Sequence, residues 1–299
     1  MKLPMAADRG QTGSAAFGSA APIRRIWLCA DDYGISPSVD VAIRDLIVRG
    51  RINATSVMVL APSLHRSEAL ALSVLNSGEC SVSIGLHLTL TAPFSPLSKT
   101  FAPLRNGAFL SLKSTMAAAL LQRFEPNALE DEIRSQLRMF VHSFGRAPDF
   151  IDGHQHVHLL PQVRDAVLKV AKEVAPDAWV RQCGRVLPLP SSERLGNPKA
   201  LLLDFLSQSF RRRAEALNIR TNPAFAGAYG FHDEANFAVL FARFLEGLPD
   251  GSVVMCHPGF VDAELQRLDP LTTLREREYA FFMDDSFPRI LAAHGVALA

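Results

Sequence analysis

Within the seven residues Asp152-Gly153-His154-Gln155-His156-Val157-His158 the chain places three imidazoles and a carboxylate, out of nine histidines in 299 residues. Histidine is the commonest transition-metal ligand, and two or three imidazoles with a carboxylate make a standard catalytic metal set. In an extended segment residues two apart share a face, so His154, His156 and His158 could point one way, although only some could reach one metal. The same run would also serve as a solvated histidine-rich loop.

Other segments supply what a metal reading lacks. Asp31-Asp32 follows the apolar run Ile26-Trp27-Leu28-Cys29, and His257 follows another, Val253-Val254-Met255-Cys256. Residues 81–91 alternate between Val82, Ile84, Leu86, Leu88, Leu90 and the small or polar Ser83, Gly85, His87, Thr89, Thr91. In a barrel packed on helices, that pattern turns His87 into the lumen; on an edge strand His87 would face water instead. One carboxylate and two imidazoles, from Asp32, His87 and His154, make a three-ligand site with open positions, the arrangement of a hydrolytic metal. Asp31 is then the candidate general base, because neighbours on an extended segment diverge and take different roles. His257 could protonate a leaving group. Asp31-Asp32 taken alone also suits a turn or a helix cap.

The elements that must position these residues alternate strand with helix, which implies a mostly parallel sheet. Ser36 and Pro37 form an N-terminal cap for a helix with the stripe Val39, Ala42, Ile43, Leu46, Ile47, closed by Gly50. Asn127 is the expected cap of a helix carrying Leu129, Ile133, Leu137, Phe140, Val141 and Phe144. Further helices are expected over 63–76, 161–174, 199–217 and 233–248, with a final long one over 273–293 broken near Pro288. Residues 178–181 and 295–298 read as short strands. Residues 93–110 form a long insertion of the kind that is often functional. The Gly-aromatic stretch from Phe225 to Phe231, with Tyr229 in it, reads either as a plain connection or as a surface that stacks on a sugar ring. The polar candidates cluster at the C-terminal ends of strands, where β/α barrels carry their active sites.

Composition bounds the reading. Hydrophobic residues at 48%, charged residues at 20% and a net charge of +1 describe a globular protein with a large core and no pull toward nucleic acid or an anionic membrane. Arg211-Arg212-Arg213 reads as a solvated helix face. The four cysteines, Cys29, Cys80, Cys183 and Cys256, form no CxxC pair, which fits free thiols in a reducing cytoplasm. No apolar run is long enough to span a bilayer. Residues 1–22 read as a mobile tail, and residues 23–299 as one β/α-barrel domain. A homodimer is compatible with the sequence.

Four ordered motifs carry a resemblance. Ala30-Asp31-Asp32-Tyr33-Gly34, Gly85-Leu86-His87-Leu88-Thr89, Asp152 through His158 and Cys256-His257-Pro258-Gly259-Phe260 resemble those of the YdjC-like carbohydrate deacetylases, the ChbG/HpnK group. The likeness runs from about Ile26 to the C-terminus. It implies an irregular β/α barrel that removes an N-acetyl group from an amino sugar with one divalent metal ion, zinc or magnesium. Two nitrogens and one oxygen suit zinc by ligand type. It also implies Asp32, His87 and His154 as metal ligands and Asp31 as base. His156, His158, Arg181 and Tyr229 are expected to support the site or bind substrate, and Arg181 could orient Asp31, bind substrate or simply make a surface ion pair. Tyr33 stands where phenylalanine is common, and Gly153 and Gln155 vary the histidine run. Two rivals fit parts of the pattern. One is a metal-dependent phosphoesterase on a similar barrel, which usually needs a second ligand set; the other is a non-catalytic sugar-binding accessory protein.

Overall fold

A computed structural model of the chain describes residues 22–76, 81–186, 198–230 and 236–299. The expected tail and much of the expected loop after Gly184 lie outside these residues, as do Gly78, Phe231 and the start of the helix expected from Asp233. The strands are β1 (Arg24–Tyr33), β2 (Ala54–Val57), β3 (Ser83–Leu88), β4 (Phe150–Gly153), β5 (Trp179–Val180), β6 (Phe225–Ala226), β7 (Ser252–Cys256) and β8 (Val296–Leu298). All belong to one sheet ordered β5-β4-β3-β2-β1-β7-β6, with β8 on β1, and every pairing is parallel.

The helices are α1 (Pro37–Val48), α2 (Arg66–Leu75), α3 (Leu112–Leu120), α4 (Pro126–Phe144), α5 (Val163–Val174), α6 (Pro198–Ala216), α7 (Phe237–Phe244), α8 (Ala263–Leu268), α9 (Thr273–Met283) and α10 (Ser286–Ala293). The irregular β/α barrel expected from the sequence is the fold that forms. Among the described residues, no helix is long and apolar enough to cross a membrane.

β1 is the axis of the sheet. It pairs with β7 along one edge, and with β8 and then β2 along the other. Asn53 fills the junction: its Oδ1 accepts from Leu28 N at 2.8 Å, and its Nδ2 donates to Ile26 O at 3.1 Å. The register with β2 slips between Ala30 and Tyr33, where Asp31 and Asp32 lie, and Asp32 takes the left-handed conformation at φ 70. A bulge of this kind re-aims side chains that plain alternation would send to opposite faces.

The seam between β5 and β6 is held by side chain and loop rather than by a strand ladder. Asn222 Oδ1 accepts from Gln182 N at 2.8 Å, Asn222 Nδ2 donates to Gln182 O at 3.1 Å, and Phe225 N donates to Gly184 O at 3.0 Å. Gly227 explains how β6 and β7 meet so closely. Its φ is +103, and a Cβ there would sit 2.1 Å from Met255 O.

Local signals decide most helix ends. Ser36 Oγ accepts from Val39 N, with Pro37 in the first turn of α1. α4 departs from expectation. Its cap is Glu125, whose carboxylate accepts from Asn127 N and Ala128 N, because Pro126 fixes the first turn one residue earlier. The C-terminal helix breaks at Asp284 rather than near Pro288. Pro288 lies in the first turn of α10, where its missing N–H costs nothing.

The insertion over residues 93–110 is a packed cover. Ala92 N donates to Leu110 O and Phe109 N to Phe94 O, both at 2.9 Å. From the far side, α4 sends in the buried Glu132, whose Oε2 accepts from Ser98 N at 2.7 Å.

Candidate metal centre at the strand ends

The site grows from three strand ends and one helix. β1 delivers Asp31 and Asp32, β3 delivers His87, and β4 ends in Gly153 and turns at once into His154. Gly85, two residues before His87, leaves room for the Phe150 ring; a Cβ there would lie 2.4 Å from it.

Asp32, His87 and His154 are buried, and one ligand atom from each lies within 4.8 Å of the others. Asp32 Oδ1 is 3.2 Å from His87 Nε2 and 3.0 Å from His154 Nδ1. On its far side His87 Nδ1 donates to Asp152 Oδ1 at 2.6 Å and lies 2.9 Å from Ser56 Oγ. That bond turns Nε2 toward Asp32 and His154, the carboxylate–histidine arrangement that orients metal-binding imidazoles. Phe94 of the insertion packs edge-on against His154, with ring centroids 6.1 Å apart.

Asp31 faces a different partner. Arg181, fully buried, donates from Nη1 to Asp31 Oδ2 at 2.7 Å and from Nη2 to Oδ1 at 2.8 Å. Ser56 Oγ also donates to Oδ1, at 3.2 Å, and so links Asp31 to His87. Arg181 Nη2 reaches Asp152 Oδ2 at 2.5 Å as well, an ion pair whose angle is poor for a hydrogen bond. Burial would raise the Asp31 carboxyl, but the Arg181 guanidinium, helped by His87, outweighs it and holds the acid below the ordinary carboxylate range. Asp32 behaves alike: burial pushes up, and Arg275 and His154 pull its carboxyl well below that range.

Do these residues fit a cation? Three buried carboxylates, Asp31, Asp32 and Asp152, surround two buried guanidiniums, Arg181 and Arg275, which leaves one negative charge over. Burial disfavours a charged His87, yet Asp152 and Asp31 raise the imidazole to about 10. A spot that draws a positive charge onto an imidazole, ringed by two nitrogens and a carboxylate oxygen, suits a divalent ion. Among the described residues the other group with ligand-type atoms is Cys29, Asp31 and Asp152. Arg181 Nη2 already touches all three, at 2.9 Å, 2.8 Å and 2.5 Å, so a guanidinium holds the place a second cation would need.

The histidine run does not stay extended. Gln155 and His156 adopt left-handed backbone angles, φ 54 and φ 60, because β4 stops at Gly153 and the chain must reverse immediately. The three imidazoles therefore part company, against the expectation of a shared face. His154 goes to Asp32. His158 Nε2 donates to Arg181 O at 2.8 Å, and burial pushes its imidazole down to about 4, so it braces β5 as a neutral ring. His156 Nδ1 lies 3.5 Å from Cys183 Sγ and meets the Phe225 ring edge-on, away from the three-residue group.

His257 follows β7 and is half-buried. Its imidazole sits near Asp32, Arg275 and Asp31 but is not one of the three grouped ligands, and burial pushes it down to about 4. Its backbone N donates to Glu278 Oε2 at 2.5 Å. Tyr229 is not an exposed stacking platform. It is 9% exposed, and its hydroxyl donates to Glu278 Oε1 at 2.6 Å. Burial raises the Glu278 carboxyl to about 7.

Asp152, Ser56, Arg275 and Glu278 escaped the sequence reading as site residues. Asp152 carried a signal, since it opens the histidine run. Arg275 and Glu278 carried little: their helix has no clear apolar stripe to mark which face turns inward.

A parallel β/α barrel with a cation-competent centre at its strand ends is the class that fold and site define. A family model described as YdjC-like protein matches residues 25–293, and the chain belongs to that family. It is 26% identical over 277 residues to a protein of Clostridium beijerinckii named carbohydrate deacetylase, across 87% of this chain and 95% of that one. Among solved structures it is similar to a putative cellobiose-phosphate cleavage protein from Enterococcus faecalis V583. The TM-score is 0.71 at 20% identity, over 92% of this chain and 97% of the other, a likeness of fold.

Proposed function

We propose that the protein is a metal-dependent hydrolase that removes the N-acetyl group from an N-acetylated amino sugar. The observation that carries this reading is the division of labour between adjacent aspartates. Asp32 meets the two imidazoles, while Asp31, gripped by Arg181, stands beside the group without joining it. Membership of the YdjC-like family and the deacetylase name of the Clostridium beijerinckii relative support the substrate class.

Asp32, His87 and His154 would hold the ion. When bound, a divalent ion supplies Lewis acidity toward the acetamide carbonyl and toward water. Asp31 takes the proton of the attacking water on Oδ2, which keeps a lone pair beyond its bond to Arg181, whereas Oδ1 also accepts from Ser56. Arg181 fixes that carboxylate in place and keeps it ionised. His257, neutral at pH 7, accepts that proton from Asp31 and delivers it to the departing nitrogen, which returns Asp31 to its ionised form. His156, His158 and Tyr229 support these groups. Arg181 on the second group of ligand-type atoms argues against a phosphoesterase that needs two or three ions, and a base poised beside the first group argues against a non-catalytic sugar binder.

The test is acetate release from N-acetylglucosamine oligomers by enzyme loaded with zinc or with magnesium, with an aryl phosphate as the rival substrate. Acetate release that stops with chelator and returns with metal is expected, and His257→Ala should slow it while keeping the metal. Phosphate release with no acetate from any acetylated sugar would overturn the reading.

A further inference from the structure

Helix α9 lies outside the barrel, yet two of its charged side chains reach the barrel mouth fully buried, Arg275 at 0% and Glu278 at 1% exposure. One turn apart, they share a face. Glu278 clasps the end of β7 and Tyr229. Arg275 goes to the ligand group itself.

The Asp32 carboxylate is divided. Oδ1 faces His87 and His154; Oδ2 accepts from Arg275 Nη2 at 2.7 Å. The guanidinium is itself anchored, with Nε donating to Leu271 O at 2.9 Å and Asp269 Oδ2 lying 3.5 Å from Nη2. Its backbone O accepts from Gly259 N at 3.1 Å. Gly259 also makes way for the side chain. A Cβ there would come within 2.9 Å of Val39 Cγ2 and 3.4 Å of Arg275 Cδ. The glycine of the His257-Pro258-Gly259 turn thus admits an arginine 16 residues further on, which reaches Asp32 across the barrel mouth. Asp32 has a left-handed backbone, a conformation that persists only where the surroundings hold it.

We propose that Arg275 is a positioning residue of the cation site: by holding Oδ2 it leaves Asp32 a single donor oxygen, Oδ1, aimed at His87 and His154. This rests on the reading of Asp32, His87 and His154 as metal ligands. Two effects oppose each other. A guanidinium beside a ligand carboxylate repels an incoming cation, so deleting the charge alone would tighten metal binding. Releasing the carboxylate from its anchor would loosen it. The outer partners of metal ligands typically contribute about 10–100-fold in affinity, and the proposal requires that anchoring win.

The experiment is a zinc titration of the full chain against a chromophoric chelator, with circular dichroism and thermal melts as controls for folding. Arg275→Met, which keeps most of the stem and loses the charge, should bind zinc about 10–100-fold more weakly than the native protein. Arg275→Lys, which keeps the charge and loses the fork, should fall between them. Equal or tighter binding by Arg275→Met would overturn the proposal and make Arg275 a mere charge balance. Should Arg275→Met fail to fold, the lysine variant decides: several-fold weaker binding sustains the proposal, and native affinity overturns it. A native protein that binds neither zinc nor magnesium would fail the metal reading itself, which distinguishes that failure from failure at Arg275.

Discussion

The two sides of the barrel mouth are built differently. On the β1–β3–β4 side, functional side chains come straight off strand ends, and their partners sit on neighbouring strands: Asp32, His87 and His154, with Ser56 and Asp152 behind them. On the β7 side the strand brings only His257. What steadies that side arrives from α9: Glu278 holds the end of β7, and Arg275 accepts from Gly259 through its backbone while its guanidinium crosses to Asp32. One side is rigid because a sheet fixes it. The other is fixed by buried charges on an outer helix, and each such charge is costly to bury unless it is paired.

The sharpest test of the strand side divides Asp31 from Asp32. Asp31→Asn keeps its shape and loses the proton acceptor, so kcat should fall by about 10²–10⁴-fold with metal still bound. Asp32→Asn should lose metal and, with it, activity. Metal analysis and rate measured on one preparation separate the two. The reverse pattern would exchange their roles, and two fully active variants would move the site elsewhere.

Arg181→Met asks how far the strand side depends on its own buried cation. It strips Asp31 and Asp152 of their shared partner, and breaking a buried pair typically costs about 3–5 kcal/mol. Denaturant unfolding measures it. A loss under about 1 kcal/mol would mean that these carboxylates find other partners and that the β7 side alone uses buried charge.

The smallest effect concerns Asp40, which pins the turn after Asp32. Its Oδ1 accepts from Gly34 N at 2.5 Å and its Oδ2 from Ser63 Oγ at 2.7 Å. Burial raises its carboxyl from 3.8 to about 7 despite these two bonds, with Glu68 adding to the rise and Arg44 opposing it. A carboxyl whose folded pKa lies above its unfolded one binds its proton more tightly when folded. Its ionisation therefore destabilises the fold as pH climbs from about 4 through 7. Between pH 5 and pH 7 the cost is on the order of 2 kcal/mol. Asp40→Asn preserves both contacts and should lack this slope. Parallel pH dependence of unfolding in the two proteins would refute it.

Much of the strand side could be read in advance. The alternation over residues 81–91 turned His87 inward, and Ser36-Pro37 marked where β1 gives way to α1, which puts Asp31-Asp32 at a strand end. The histidine run was legible as chemistry and misread as geometry. Alternation assumes an extended chain, and Gln155 and His156 leave it. For Tyr229 the sequence left two readings, a plain connection or a surface that stacks on a sugar. Its hydroxyl is held by Glu278, 49 residues away, a partner that no local pattern marks.

By itself the sequence determined a mostly parallel sheet and the strand ends that bear Asp31, Asp32, His87, His154 and His257, which follow from periodicity and from residue type at close spacing, both local properties. The barrel and the family came from the resemblance that its four ordered motifs carry. Only the tertiary structure decided that Arg181 would take Asp31, that Asp152 would stand behind His87, and that Arg275 would divide the Asp32 carboxylate. Asp31 and Arg181 lie 150 residues apart, and Asp32 and Arg275 lie 243 apart. A charge pair at such separation leaves no periodic trace. Any arginine on the chain could have served, and which one did was fixed by where the closing sheet and its last helices left a buried carboxylate needing a cation.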